Sequence, residues 1–172
     1  MIERQLYDRV TYAQAQGKKV RSMWLDEERI QDGQQIVRSR CVAMEFNLYD
    51  RNDTYAGTPP LKFVKLIISR AASKRRPGAS DWTRVLGLYD IVTAFWHADL
   101  PVDEPITVIP PRGEEPAGWV WQMKKAMYGT RRASLLFLEF MVDVFEKCGY
   151  KALKTSRQIF YCLLYTSDAA DE

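Results

Sequence analysis

The run Val85-Leu86-Gly87-Leu88-Tyr89-Asp90-Ile91-Val92-Thr93-Ala94-Phe95 decides how this chain is read. It is mostly apolar, carries one carboxylate, and places an aromatic ring five residues after it. An apolar run of this kind predicts a strand over residues 85–91 that is buried on both faces. A carboxylate there is costly unless it is paired or binds a cation. Two roles are open to Asp90: capping the strand by hydrogen-bonding a turn, or holding a metal ion.

Upstream, residues 20–30 and 35–46 flank Asp32-Gly33, a strong hairpin dipeptide, and predict two antiparallel strands. Arg38 and Arg40 are two apart, so both face one side of that ribbon. After a polar loop at 47–57, Thr58 reads as a helix N-cap with Pro59 at the first helical position. Leu61, Val64, Leu66, Ile67, Ile68, Ala71 and Ala72 follow as a stripe with helical spacing. Lys62, Lys65, Arg70 and Lys74 lie on the other side, as a solvated face or a nucleic-acid groove. Residues 74–80 form a basic loop, and residues 1–16 a polar helix or a frayed lead-in.

Downstream, residues 106–109 and 119–123 predict strands, separated by a loop at 110–118. Residues 133–147 predict a helix whose wet side is Glu139, Asp143, Glu146 and Lys147 and whose stop is Gly149. Another strand begins at 158–161. Strands and helices are interleaved with antiparallel pairing, which places the chain in the α+β class.

Composition narrows the classes. With 47% apolar residues the chain can bury a core, so bulk disorder is excluded. There is no apolar run of about eighteen residues, so no membrane span is expected. No basic segment followed by an apolar core opens the chain, so no signal peptide is expected. Cys41 and Cys148 lack metal-ligand spacing and read as buried thiols, which suits an intracellular protein of cytoplasm or nucleus. The formal charge is +3, a mild bias toward polyanion partners.

Five segments in order carry a family resemblance. They are Val37-Arg38-Ser39-Arg40-Cys41-Val42-Ala43, then Asp53-Thr54-Tyr55-Ala56-Gly57-Thr58-Pro59-Pro60, then the Asp90 run continuing to Asp99-Leu100. Ile106-Thr107-Val108-Ile109-Pro110-Pro111 follows, and finally Trp121-Gln122-Met123-Lys124-Lys125-Ala126-Met127-Tyr128-Gly129-Thr130-Arg131-Arg132-Ala133-Ser134. Together they resemble the reverse transcriptase of copia-type retrotransposons over roughly residues 20–161. There the corresponding motifs read Y-K-A-R-L-V-A, D-Y-x-E-T-F-S-P-V, D-V-K-T-A-F-L-N-G-x-L, P-P-G-F and L-K-K-A-L-Y-G-L-K-Q-A-P-R-A-W. Ser134 stands at the family's proline, Phe137 at its tryptophan, and His97-Ala98 at its Asn-Gly. His97 is the only histidine and reads as a loop residue.

The resemblance implies part of a right-hand polymerase: a fingers hairpin plus an incomplete palm over 20–161, preceded by a lead-in helix or extended segment at 1–19. It implies template-directed phosphoryl transfer with two Mg²⁺ ions, a template with its primer, and deoxynucleotide triphosphates. Asp90 would be the catalytic carboxylate and a metal ligand, with the carbonyl of Ile91 as a further oxygen. Ala94 and Phe95 would line the incoming sugar, Phe95 excluding a ribose 2′-hydroxyl; plain core packing is the alternative for Phe95. Tyr128 and Gly129 would border the nucleotide, Gly129 by close backbone approach or simply as a helix-entry turn. Arg38 or Arg40 would reach the triphosphate, or serve as surface strand charges.

The family's Tyr-x-Asp-Asp turn, expected just past residue 161, is missing. Residues 162–172 instead resemble a translated sequencing adapter, which back-translation of the whole segment matches, and they are set aside from fold reasoning. Without the tail's three acids the charge rises to +6. The expectation is an N-terminal fragment of the polymerase domain, inactive alone. The alternative is a non-catalytic nucleic-acid-binding remnant of a decayed element.

Overall fold

A computed structural model describes residues 5–46, 56–73 and 86–162. Two compact units emerge, the first comprising Met1–Ala56 with Thr93–Met141 and the second Gly57–Val92 with Val142–Glu172.

The first unit is a five-stranded sheet. Its strands are β1 (Tyr7–Thr11), β2 (Lys18–Gln31), β3 (Gln34–Ala43), β4 (Ile106–Ile109) and β5 (Trp119–Met123), in the order β1-β5-β4-β2-β3. All pairings are antiparallel except β2 with β4. The expected hairpin is present, and its turn explains itself. Asp32 and Gly33 both take positive φ, 53° and 79°, the pair of angles a two-residue type I′ turn demands. β2 pairs with β4 over Lys18–Arg21 and with β3 from Ser22 onward, so the ribbon's outer half extends past β4.

Two apolar clusters hold this unit. Val20, Ala43, Val108, Trp121, Met123 and Met127 fill one. Ala98, Ala126, Ala133 and Leu136 fill the other, with Phe95, Leu100 and Phe140 packed against it. Three alanines in the second cluster allow close approach of the helix α2 (Ala133–Lys147), whose expected bounds and wet side are both present. Where it is described, the lead-in is extended rather than helical or frayed, because β1 gains a full ladder from β5, Tyr7 opposite Met123 through Thr11 opposite Trp119.

In the second unit, the end of α2 meets a hairpin of β6 (Tyr150–Leu153) and β7 (Ser156–Cys162). Phe145 stacks on Phe160 at 4.5 Å between ring centres and meets Tyr150 edge-on at 5.5 Å. Gly149 stops the helix with φ of 84°. The same unit contains α1 (Leu61–Ala72). It starts two residues later than Thr58-Pro59 suggests, because Pro60 disfavours the helical region for the residue before it. None of its residues is buried, and the apolar stripe is exposed, Leu61 at 65% and Leu66 at 60%.

Two expectations fail. Residues 86–91 form no strand: Leu88 is 99% exposed and Tyr89 91%, and Val85 lies outside the described residues. A strand buried on both faces needs a hydrogen-bonded neighbour on each side. Among the described residues none pairs with this run, and β6 and β7 pair only with each other. An apolar run without partners leaves its backbone to water. Cys148 is exposed rather than buried, since it follows the last turn of α2, while Cys41 is half-buried. The basic loop at 74–80 and the polar loop at 47–55 fall outside the described residues.

Candidate functional site

The ribbon β2–β3 sorts its charges by face. The register sets Glu27 opposite Arg38, Leu25 opposite Arg40 and Arg29 opposite Ile36, so Arg29, Arg38 and Arg40 share one face with Glu27, and Arg21 continues it. The other face carries Asp26 and Glu28. Arg38 is exposed and makes no ion pair among the described residues. Arg40 is half-buried and ion-paired to Glu27 at 2.5 Å. Glu27 also takes Arg29 at 3.0 Å, and the Arg29 hydrogen bond, followed by Arg40, holds its carboxyl below the usual range. Both arginines proposed from the sequence therefore lie on one basic face, but only Arg38 has its full donor set open.

Phe95 and Tyr128, which are 33 positions apart in the chain, come together at 4.5 Å between ring centres and 58° between planes. Phe137 meets Phe95 edge-on at 6.0 Å. Phe95 sits in the 3₁₀ turn Ala94–His97, entered through Thr93 in a left-handed conformation, φ 54°. That conformation is strained for a β-branched residue. His97 belongs to the same turn, its ring 5.9 Å from Phe140. Phe95 is half-buried and packs on the alanine cluster, so the core packing given above as its alternative role is present.

Gly129 has φ of 85°, and a Cβ there would overlap the Ala43 carbonyl oxygen. The close backbone approach that makes glycine necessary is thus to the end of β3. The loop is tied to that strand by Ala43 N–H donating to the Tyr128 carbonyl at 2.7 Å and Glu45 N–H donating to the Gly129 carbonyl at 3.3 Å. Glu45 adds its side chain: Oε2 accepts the Arg131 N–H at 2.8 Å and Oε1 accepts Lys18 Nζ at 2.8 Å. Nothing in the sequence singled out Glu45. Its partner Arg131 is 86 residues away, and no local spacing signals such a pair.

Asp90 and Ile91 lie in the second unit, exposed and without regular structure, while Arg38, Arg40, Ala94, Phe95, Tyr128 and Gly129 lie in the first. Among the described residues no group of three or more His, Cys, Asp or Glu is placed to hold a metal ion. One exposed carboxylate does not make a Mg²⁺ site, which takes several hard oxygen ligands in near-octahedral array.

A family model described as reverse transcriptase (RNA-dependent DNA polymerase) matches residues 5–168. The chain belongs to the reverse transcriptase family. No curated protein and no solved structure matches it. The reverse transcriptase match runs past Cys162 to Asp168, into the segment read above as an adapter tail. That segment contains Tyr165-Thr166-Ser167-Asp168, which has the tyrosine and last aspartate of Tyr-x-Asp-Asp and a serine between them. Residues 163–172, with most of the segment read above as an adapter tail, lie outside the described residues. Family membership implies a nucleic-acid template and nucleotide substrates. Among the described residues no helix is long and apolar enough to cross a membrane.

Proposed function

We propose that this chain is the fingers-side part of a copia-type retrotransposon reverse transcriptase. In this reading the basic face of β2–β3 meets the phosphates of template, primer or nucleotide, and the Phe95–Tyr128 pair forms the wall beside the incoming sugar. The observation that carries the reading is the ring contact between Phe95, in the turn Ala94–His97, and Tyr128, whose loop is hydrogen-bonded to the end of the basic ribbon. Guanidinium groups suit phosphate oxygens, with Arg38 the first donor and Arg40 available on release from Glu27. A flat aromatic with no hydrogen-bonding group discriminates against a 2′-hydroxyl by leaving it unpaired.

Asp90 is assigned as a catalytic carboxylate, with the Ile91 carbonyl beside it. In the family's chemistry Mg²⁺ would neutralise charge on the triphosphate and the attacking hydroxyl. The described residues do not assemble that ion's site, and serine at position 167 supplies no carboxylate whichever origin the tail has. The chain alone therefore binds without extending. Incubated with primer–template, Mg²⁺ and deoxynucleotides, it gives no extension while retaining salt-sensitive primer–template binding; extension by this chain would contradict the assignment. In an intact enzyme carrying these residues, Asp90→Asn abolishes extension and spares binding, whereas Phe95→Val raises ribonucleotide incorporation.

A second reading, a nucleic-acid-binding remnant without catalysis, is favoured by the exposure of Asp90. It predicts that even the intact parent extends no primer.

A further inference from the structure

Glu45 is nearly buried, its side chain 6% exposed, yet it belongs to neither apolar cluster and to none of the family motifs. A buried carboxylate persists only where donors satisfy it. Here both oxygens are engaged, one by Lys18 and one by the Arg131 backbone amide. The two bonds are unequal in consequence. Lys18 is 54% exposed, so its ion pair is shared with solvent and contributes little. The Arg131 bond is part-buried, charge-assisted and made to backbone, so it fixes chain position rather than a side chain.

Among the described residues three bonds join the end of β3 to residues 128–131. Two run between backbones and would form with any side chains: Ala43 to Tyr128, and Glu45 to Gly129. The third is the only one a side chain controls. It closes the loop on the far side of Gly129, whose left-handed φ lets the chain turn against Ala43. Tyr128, at the near side of that turn, carries the ring that meets Phe95. We propose that Glu45 is a positioning residue: its carboxylate holds the 128–131 loop in register with β3 and thereby presents Tyr128 and Phe95 to the nucleotide. The proposal rests on the reading of Phe95 and Tyr128 as the nucleotide wall.

Charge and geometry predict opposite signs, which makes the idea testable. Acting only through its charge, Glu45 would repel a triphosphate, and removing it would tighten binding. Acting as a clamp, it must be replaced by an acceptor or binding weakens. Glu45→Met keeps the length and removes the acceptor. Glu45→Gln keeps one oxygen for the Arg131 amide and turns its NH₂ toward the exposed Lys18, which can swing away into solvent. Lys18→Met removes the ion pair alone.

The experiment titrates fluorescently labelled dGTP with Mg²⁺ into the full chain and its variants, with amide hydrogen exchange in parallel. For Glu45→Met the expected result is exchange at Arg131 faster by about tenfold or more, with unchanged protection in β4 and β5. Its dGTP Kd rises by about tenfold. Glu45→Gln and Lys18→Met stay within about twofold of wild type on both measures. Binding by Glu45→Met as tight as wild type, or tighter, overturns the positioning role and leaves the nucleotide wall standing. Failure of Glu45→Gln to rescue also overturns it, since the geometry requires only an acceptor. If the Arg131 amide opens in Glu45→Met but wild type itself binds no dGTP, the nucleotide-wall reading fails and the positioning role with it.

Discussion

Single side chains tie this fold across long sequence separations. Glu115 accepts the Trp121 indole N–H at 3.0 Å and pairs with Arg9 at 2.5 Å, 106 residues away. The Trp121 bond, and then Arg9, hold its carboxyl below the ordinary value of 4.5 against the upward push of burial. A carboxyl lowered in the folded state contributes stability that is present above its unfolded pKa and is lost as pH falls through the folded one. Melting temperature should therefore drop on acidification below about pH 4.5, and Glu115→Gln should flatten that dependence. Equal slopes in both proteins would contradict it. The thiols give a second readout. Burial raises the Cys41 thiol, with Glu114 adding to it and a Ser22 hydrogen bond opposing it. Cys148 is exposed, so iodoacetamide should label Cys148 well before Cys41, as peptide mapping over time would record. None of these partnerships was legible beforehand. Glu115, Glu45 and Cys41 draw their roles from contacts the chain makes only after folding.

Elements were legible where a local signal dictates them. Asp32-Gly33 suffices for the hairpin because few other pairs take two successive positive φ angles. Ala133–Lys147 suffices for the helix because its apolar face, wet face and glycine stop agree. Residues 86–91 misled because an apolar run specifies burial only when neighbours exist to bury it. β6 was missed because Tyr150–Leu153 is too short to show a period. Gly33→Val should cost about 1–2 kcal/mol in thermal or urea unfolding, since a β-branched residue is forced left-handed there. Met127→Ala, at a position 5% exposed in the larger cluster, should cost about 2–5 kcal/mol. A cost near zero for Met127→Ala would mean that the sheet's inner face is not the core.

At the scale of the whole molecule, the family was legible from the order of five weak motifs, and the family match bears it out. The candidate site was legible only in part. Its residue types were readable, but the pairing of Phe95 with Tyr128 and the clamp at Glu45 required the fold, and Asp90 stands exposed outside any strand. The proposed role of the basic face of β2–β3, in a reverse transcriptase chain, is to meet nucleic-acid phosphates. The most direct test is the salt dependence of primer–template binding, measured by fluorescence anisotropy for wild type and for the double variant Arg38→Ala, Arg40→Ala. The account predicts that log K falls linearly with log salt, and that the double variant weakens binding and lowers the slope by about 2, near one per phosphate contact removed. An unchanged slope with unchanged affinity would contradict it.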